Sequence, residues 1–176
     1  MSIWAGGFVV VAVAILFIQS FFFASHCCTN DQLDPFYLTE HRHPISRSLH
    51  VLGSTLVLQQ FLASGSIAAW HAPNMLIGLA TGSLLCELLA SWPTGMVEFA
   101  VLLGLMIGLA WLRACPRPWL PLQMAVWGYA LAWVGHFVVE QNRPATFIYP
   151  TYSLLCDYIM WYQTLTGKIP WNEYLE

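Results

Sequence analysis

The chain has 176 residues, 58% of them hydrophobic and only 9% charged, against about 25% charged in a soluble domain, and its mean hydropathy is +0.61. That composition belongs to an integral membrane protein. A formal net charge of -3, with six Lys and Arg scattered and no basic patch, gives no basis for a nucleic-acid partner. Five cysteines, odd in number and without a CxxC pair, argue against a disulfide framework or a zinc ribbon.

Residues 1–25 contain an uncharged run, IWAGGFVVVAVAILFIQSFFFAS, longer than the roughly 20 residues that a crossing needs. No Lys or Arg precedes it, so it reads as a retained helix and signal anchor rather than a cleaved leader. Cys27 and Cys28 follow, either as small interfacial residues or as palmitoylation sites. The polar stretch HCCTNDQLDPFYLTEHRH is expected at the interface, with Phe36 and Tyr37 as aromatic anchors. Pro44 suits the first position of a helix and His43 its N-cap.

A second crossing is predicted over ISRSLHVLGSTLVLQQFLASG, with Arg47 and His50 on the face of His43. SIAAWHAP is expected to turn the chain into a third crossing, NMLIGLATGSLLCELLASW, which carries Glu87. After SWPTG comes a fourth, MVEFAVLLGLMIGLAWL, with Glu98 close to one end. Gly78, Gly82, Ser83, Gly104 and Gly108 offer small faces for close helix packing. The fifth, PLQMAVWGYALAWVGHFVVE, is stopped by Pro144. SLLCDYIMWY is too short to cross and should lie at the interface or re-enter. The expected fold is therefore all-α, a polytopic bundle of about five transmembrane helices and one short interfacial or re-entrant helix.

Alternate crossings put the start of the second segment and the end of the fifth on one side of the membrane. His41, His43, His50, His136 and Glu140 then meet at one surface, together with Arg42, Arg47, Arg143 and Lys168. Only Arg113 and Arg117 fall on the other side, so the positive-inside rule puts the histidines in the cytoplasm. Removing segments three and four leaves this parity unchanged, which allows residues 65–118 to be an inserted helical hairpin.

His136 and Glu140, spaced i, i+4, can give one site two groups from a single helix. The ligand candidates are His136, His50 and His41, then His43 and Glu140. Imidazole suits iron, zinc and copper alike, so residue type does not choose the metal. Glu140 could instead pair with Arg143. Asp157 could bond Trp161 or Tyr152, or support the ligands from behind. For His26 and His71, which have no matching neighbours, an ordinary interfacial or packing role is expected.

The motifs YLxEHxxPxxRxLHxxG and GHxxxExNRPATFxYPxxSLLxDxxMW cover roughly residues 35–64 and 127–168. They resemble the small membrane proteins grouped with the fungal 2-hydroxy fatty acid dioxygenase, and most of all its bacterial-type members. The resemblance implies one family domain over 35–168 and Fe(II) held by His41, His50 and His136. It also implies O2-dependent removal of one carbon from a 2-hydroxy fatty acid. In the fungal enzyme this serves phytosphingosine breakdown at the endoplasmic reticulum. A eukaryotic chain would sit in that membrane, and a bacterial one in the inner membrane. Here Arg42 separates His41 from His43, where the fungal sequences have adjacent histidines.

On that reading Arg47 or Arg143 pairs the substrate carboxylate, and Glu40 and Asp157 lie behind the ligands. Lipid surrounds the bundle, and the sequence is silent on oligomeric state. The alternative is a non-enzymatic lipid-binding or scaffolding protein with a structural metal or histidine cluster. A transporter, suggested by Glu87, Glu98 and Asp157 in apolar surroundings, is a third.

Overall fold

The computed structural model describes residues 37–89, 92 and 94–175. The expected first helix at residues 1–25, His26, and the Cys27-Cys28 pair lie outside these. Among the described residues every regular element is helical and no strand occurs.

Helix α1, Pro44–Ala63, begins where the sequence predicts. Pro44 occupies its first turn, and the side chain of the cap residue His43 accepts the Ile45 N–H at 3.1 Å. It ends at Ser64, whose hydroxyl bonds Gln60 O, and at Gly65, with φ of 54°. Glycine adopts this left-handed backbone without a Cβ penalty, so the helix stops at these two positions.

Helix α2, Ser66–Leu88, starts at once. The expectation that SIAAWHAP forms the turn is therefore corrected. That stretch has no glycine, and the helix runs through Pro73 although a proline there gives up an N–H bond and crowds the carbonyl four residues back.

Helix α3, Met96–Leu112, packs on α2 as a hairpin. Gly78 and Gly82 permit this: a Cβ on Gly78 would meet Met106 at 2.7 Å, and one on Gly82 would meet Leu102 Cδ1 at 2.8 Å. Gly104 and Gly108, expected to do the same, face open space.

Helix α4, Leu120–Val134, continues as a π-helical segment, Gly135–Glu140, until Gln141 turns left-handed at φ of 57°. A 3-10 turn, Ala145–Phe147, leads into α5, Pro150–Leu165. α1 packs mainly against α4, and α5 lies across α1, α2 and α3. Leu120–Glu140 is the one described helix long and apolar enough to cross a membrane unaided, with 21 residues and a hydropathy of 1.3. Large apolar side chains stay exposed along the bundle, among them Leu84, Leu112, Val126 and Val138.

Two contacts lock α5 into this arrangement. Glu98, buried in α3, accepts the Thr151 N–H at 2.8 Å, a carboxylate on the first turn of α5 where the helix dipole favours one. Gly95 donates its N–H to Phe147 O at 2.8 Å. A Cβ on Gly95 would stand 2.4 Å from both Ile148 O and Pro150 Cδ. Gly95→Ala should therefore cost about 1–3 kcal/mol through overpacking against rigid backbone. A lowered thermal midpoint in detergent would register it, and an unchanged midpoint would contradict the packing described.

Candidate metal centre

Three histidines from three separate segments meet at the end of the bundle formed by the start of α1 and the end of α4. His41 lies between a helical turn at residues 37–39 and α1, His50 is in the second turn of α1, and His136 is in the π segment. All three are buried, at 0%, 3% and 3% exposure respectively. Ring centroids are 4.4 Å apart for His41 and His50, 4.7 Å for His41 and His136, and 5.1 Å for His50 and His136. One potential ligand atom from each lies within 4.8 Å of the others.

Hydrogen bonding fixes which nitrogen faces inward. Nδ1 of His41 is 2.6 Å from Tyr37 O, that of His50 is 2.5 Å from Asp157 Oδ1, and that of His136 is 2.7 Å from Asn142 Oδ1. The Asn142 amide cannot be reversed without loss, because its Nδ2 donates to Glu40 O at 2.9 Å and to Glu40 Oε2 at 3.0 Å. Each partner is then an acceptor, so each Nδ1 carries a hydrogen, and Nε2 is the nitrogen whose lone pair can meet a metal. Nε2 of His41 and of His50 is buried without a hydrogen-bond partner. An unsatisfied buried acceptor costs about 1–3 kcal/mol, and a cation held in common removes that cost.

The residues therefore fit a metal ion. Histidine ligands usually donate their second ring nitrogen to a carboxylate or carbonyl, and here all three do so to an oxygen acceptor. Burial, then the neighbouring His50 and His136, holds the His41 pKa well below the usual histidine value, so the ring remains neutral as a ligand must be. Tyr37 braces two of the three histidines. Its carbonyl accepts from His41, and its hydroxyl donates to Asp157 Oδ1 at 2.6 Å beside His50. Burial and the Asp157 charge push the Tyr37 pKa up, which keeps the phenol a donor.

The other expected site residues lie around this group rather than in it. His43 caps α1 through Nδ1, and its backbone N–H donates to Glu140 Oε1 at 2.8 Å. Glu140, at the end of the π segment that carries His136, accepts this His43 N–H and is not one of the three clustered groups. Glu40 supports Asn142, and burial followed by Glu140 raises its pKa. Asp157 bonds His50 and Tyr37 rather than Trp161 or Tyr152.

Arg47, expected to meet a substrate carboxylate, is buried at 1% exposure and directs its terminal nitrogens to the carbonyls of His41, Arg42, Pro170 and Glu173. Arg143 is exposed, with its guanidinium 5.9 Å from the Phe147 ring centre. Glu98 caps α5, His71 is buried with Nε2 on Pro116 O at 2.9 Å, and the side chain of Glu87 lies outside the described residues.

A family model described as 2-hydroxy-palmitic acid dioxygenase Mpo1-like matches residues 27–169. The chain belongs to the Mpo1-like family. No curated protein and no solved structure matches it. The Mpo1-like match contains all three clustered histidines and stops just short of Pro170 and Glu173, whose carbonyls Arg47 holds.

Sequence reasoning overlooked Asn142 and the bracing role of Tyr37. Asn142 stands inside the ExNRPATF motif six residues after His136, and an amide just past the end of a ligand-bearing helix is the signal that could have found it. Asn142→Ala should free the His136 ring and weaken metal binding roughly tenfold or more. A cobalt(II) titration would measure this, and unchanged affinity would deny Asn142 the orienting role.

Proposed function

We propose that this Mpo1-like chain is an iron(II)-dependent dioxygenase that shortens 2-hydroxy fatty acids by one carbon at a membrane interface. The observation that carries the reading is the convergence of three buried imidazoles, each tied at Nδ1 so that Nε2 is left for a metal. His41, His50 and His136 would hold the metal. Three protein ligands leave positions for substrate and O2, as non-haem oxygenase chemistry requires. Bound iron(II) would supply the redox chemistry by which O2 reacts with a 2-hydroxy acid.

The protein's own groups do the rest. Tyr37, Asp157 and Asn142 fix the ring orientations, so no reorganisation is needed when a cation arrives. Arg143, exposed beyond the end of α4, is the candidate to pair the substrate carboxylate bidentately. Exposed apolar side chains of α1 and α4, such as Leu52, Val134 and Phe137, would lie along the acyl chain.

The wider assignment follows the same reading. Residues 35–168 form one family domain with 65–118 as an added hairpin, in a bundle that crosses several times, and the histidine end faces the cytoplasm. The membrane would be the endoplasmic reticulum in a eukaryote and the inner membrane in a bacterium.

The test is to supply 2-hydroxypalmitate and O2 to iron-loaded protein in detergent. An oxygen-dependent product one carbon shorter, lost on chelation, supports the proposal. A tightly held zinc with no turnover in the iron-loaded protein favours the non-enzymatic alternative.

A further inference from the structure

Arg47 is an unusual residue to bury, since a guanidinium taken from water is costly unless its donors are met. Its two terminal nitrogens reach two distant pieces of chain. Nη1 donates to His41 O at 3.0 Å and to Arg42 O at 2.7 Å, while Nη2 donates to Pro170 O at 3.1 Å and to Glu173 O.

The same two pieces are joined independently elsewhere. Leu175 N donates to Arg42 O at 3.2 Å, and the Tyr174 ring packs on His43 with centroids 4.8 Å apart. Ile169 is buried in one cluster with Tyr37, Cys156 and Met160. The segment carrying His41 is thus held from one side by the Tyr37 turn and from the other by the tail.

We infer that Arg47 is a positioning residue for His41, and that the tail after Ile169 completes the centre by closing through Arg47 onto the His41–Arg42 backbone. This rests on the reading of the three histidines as a metal centre. His41 is the one of the three outside a regular helix; in place of a helical ladder its N–H makes a turn bond to Leu38 O at 3.1 Å, and its carbonyl is left to Arg47 for restraint. The fork of Arg47 supplies that restraint, which a lysine ammonium, a point donor, cannot reproduce across both segments.

The test uses two variants of the full membrane protein, Arg47→Met and a chain stopped after Ile169, with Arg47→Lys as a conservative comparison. Cobalt(II) is titrated into chelator-treated protein, followed by affinity and by the visible ligand-field spectrum. Hydrogen exchange of residues 37–43 is measured without metal, with the α2–α3 hairpin as internal reference.

Both variants should bind cobalt roughly tenfold or more weakly and with an altered spectrum. Arg47→Lys should recover only part of the affinity, and exchange should quicken at 37–43 but not in the hairpin. Wild-type affinity and spectrum in the truncated protein would overturn the inference. If Arg47→Met does not fold, the truncation decides, since it retains every side chain through Ile169. Should the wild type itself take up no cobalt, the metal-centre reading fails instead. Exchange at 37–43 then judges the tail contact alone: quickened exchange sustains it and unchanged exchange overturns it.

Discussion

His50→Ala is expected to remove metal binding and oxygen-dependent turnover together, by more than the roughly 10- to 100-fold that loss of an outer partner costs. The reason is positional. His50 approaches both other rings, at 4.4 Å and 5.1 Å between centroids, and its Nε2 is one of the two buried ring nitrogens at the centre without a partner. With the imidazole gone, two rings remain and the ligand set is incomplete. The substitution also leaves Asp157 Oδ1 with only the Tyr37 hydroxyl, so a loss of about 1–3 kcal/mol in stability accompanies it. Metal content of the folded, monodisperse variant separates the two effects. Full metal content and full turnover would remove His50 from the mechanism.

Asp157→Ala should produce the second-largest loss, and mainly through stability. One carboxylate oxygen accepts from both Tyr37 Oη and His50 Nδ1, so removing it strands two buried donors from sites far apart in sequence. Each stranded group costs about 1–3 kcal/mol. Metal affinity should also fall by about 10- to 100-fold, because the His50 ring is no longer held in one tautomer. Asp157→Asn retains an oxygen acceptor without the charge, so it should lie between alanine and wild type in both respects. Denaturant melts without metal, paired with cobalt titrations, resolve the two contributions. A wild-type melt for Asp157→Ala would show that the bonds to Tyr37 and His50 carry no weight.

The pattern of what could be read from the chain follows the range of the interactions. The start of α1 was legible because a cap and a helix-start proline are local signals at His43 and Pro44. The meeting of His50 with His136 was legible from the alternation of apolar segments alone, and the structure brings those rings together with His41. The turn at Ser64 and Gly65 was misplaced into SIAAWHAP, the uncharged stretch between two apolar segments, which the structure coils into α2 with Pro73 inside the helix. A proline that gives up one hydrogen bond need not end a helix whose neighbours pack well.

Side-chain partners were less accessible. Glu140 was grouped with His136 on its i, i+4 spacing, and that spacing does not encode its bond to the His43 N–H. The bonds from Asp157 to His50 and Tyr37 span 107 and 120 residues, and no local pattern specifies which donors that carboxylate will find. Arg47 was read as a substrate anchor on its chemistry, since guanidinium suits a carboxylate. The carbonyls it meets belong to backbone, and those from Pro170 and Glu173 become visible only once the tail is placed.

Iron K-edge X-ray absorption on anaerobically loaded protein tests the metal centre most directly. The proposed function predicts bound iron with imidazole nitrogens from His41, His50 and His136 among its ligands, an imidazole signal that diminishes when any one of them is replaced by alanine. An iron spectrum and content identical in wild type and in the His136→Ala protein would contradict it.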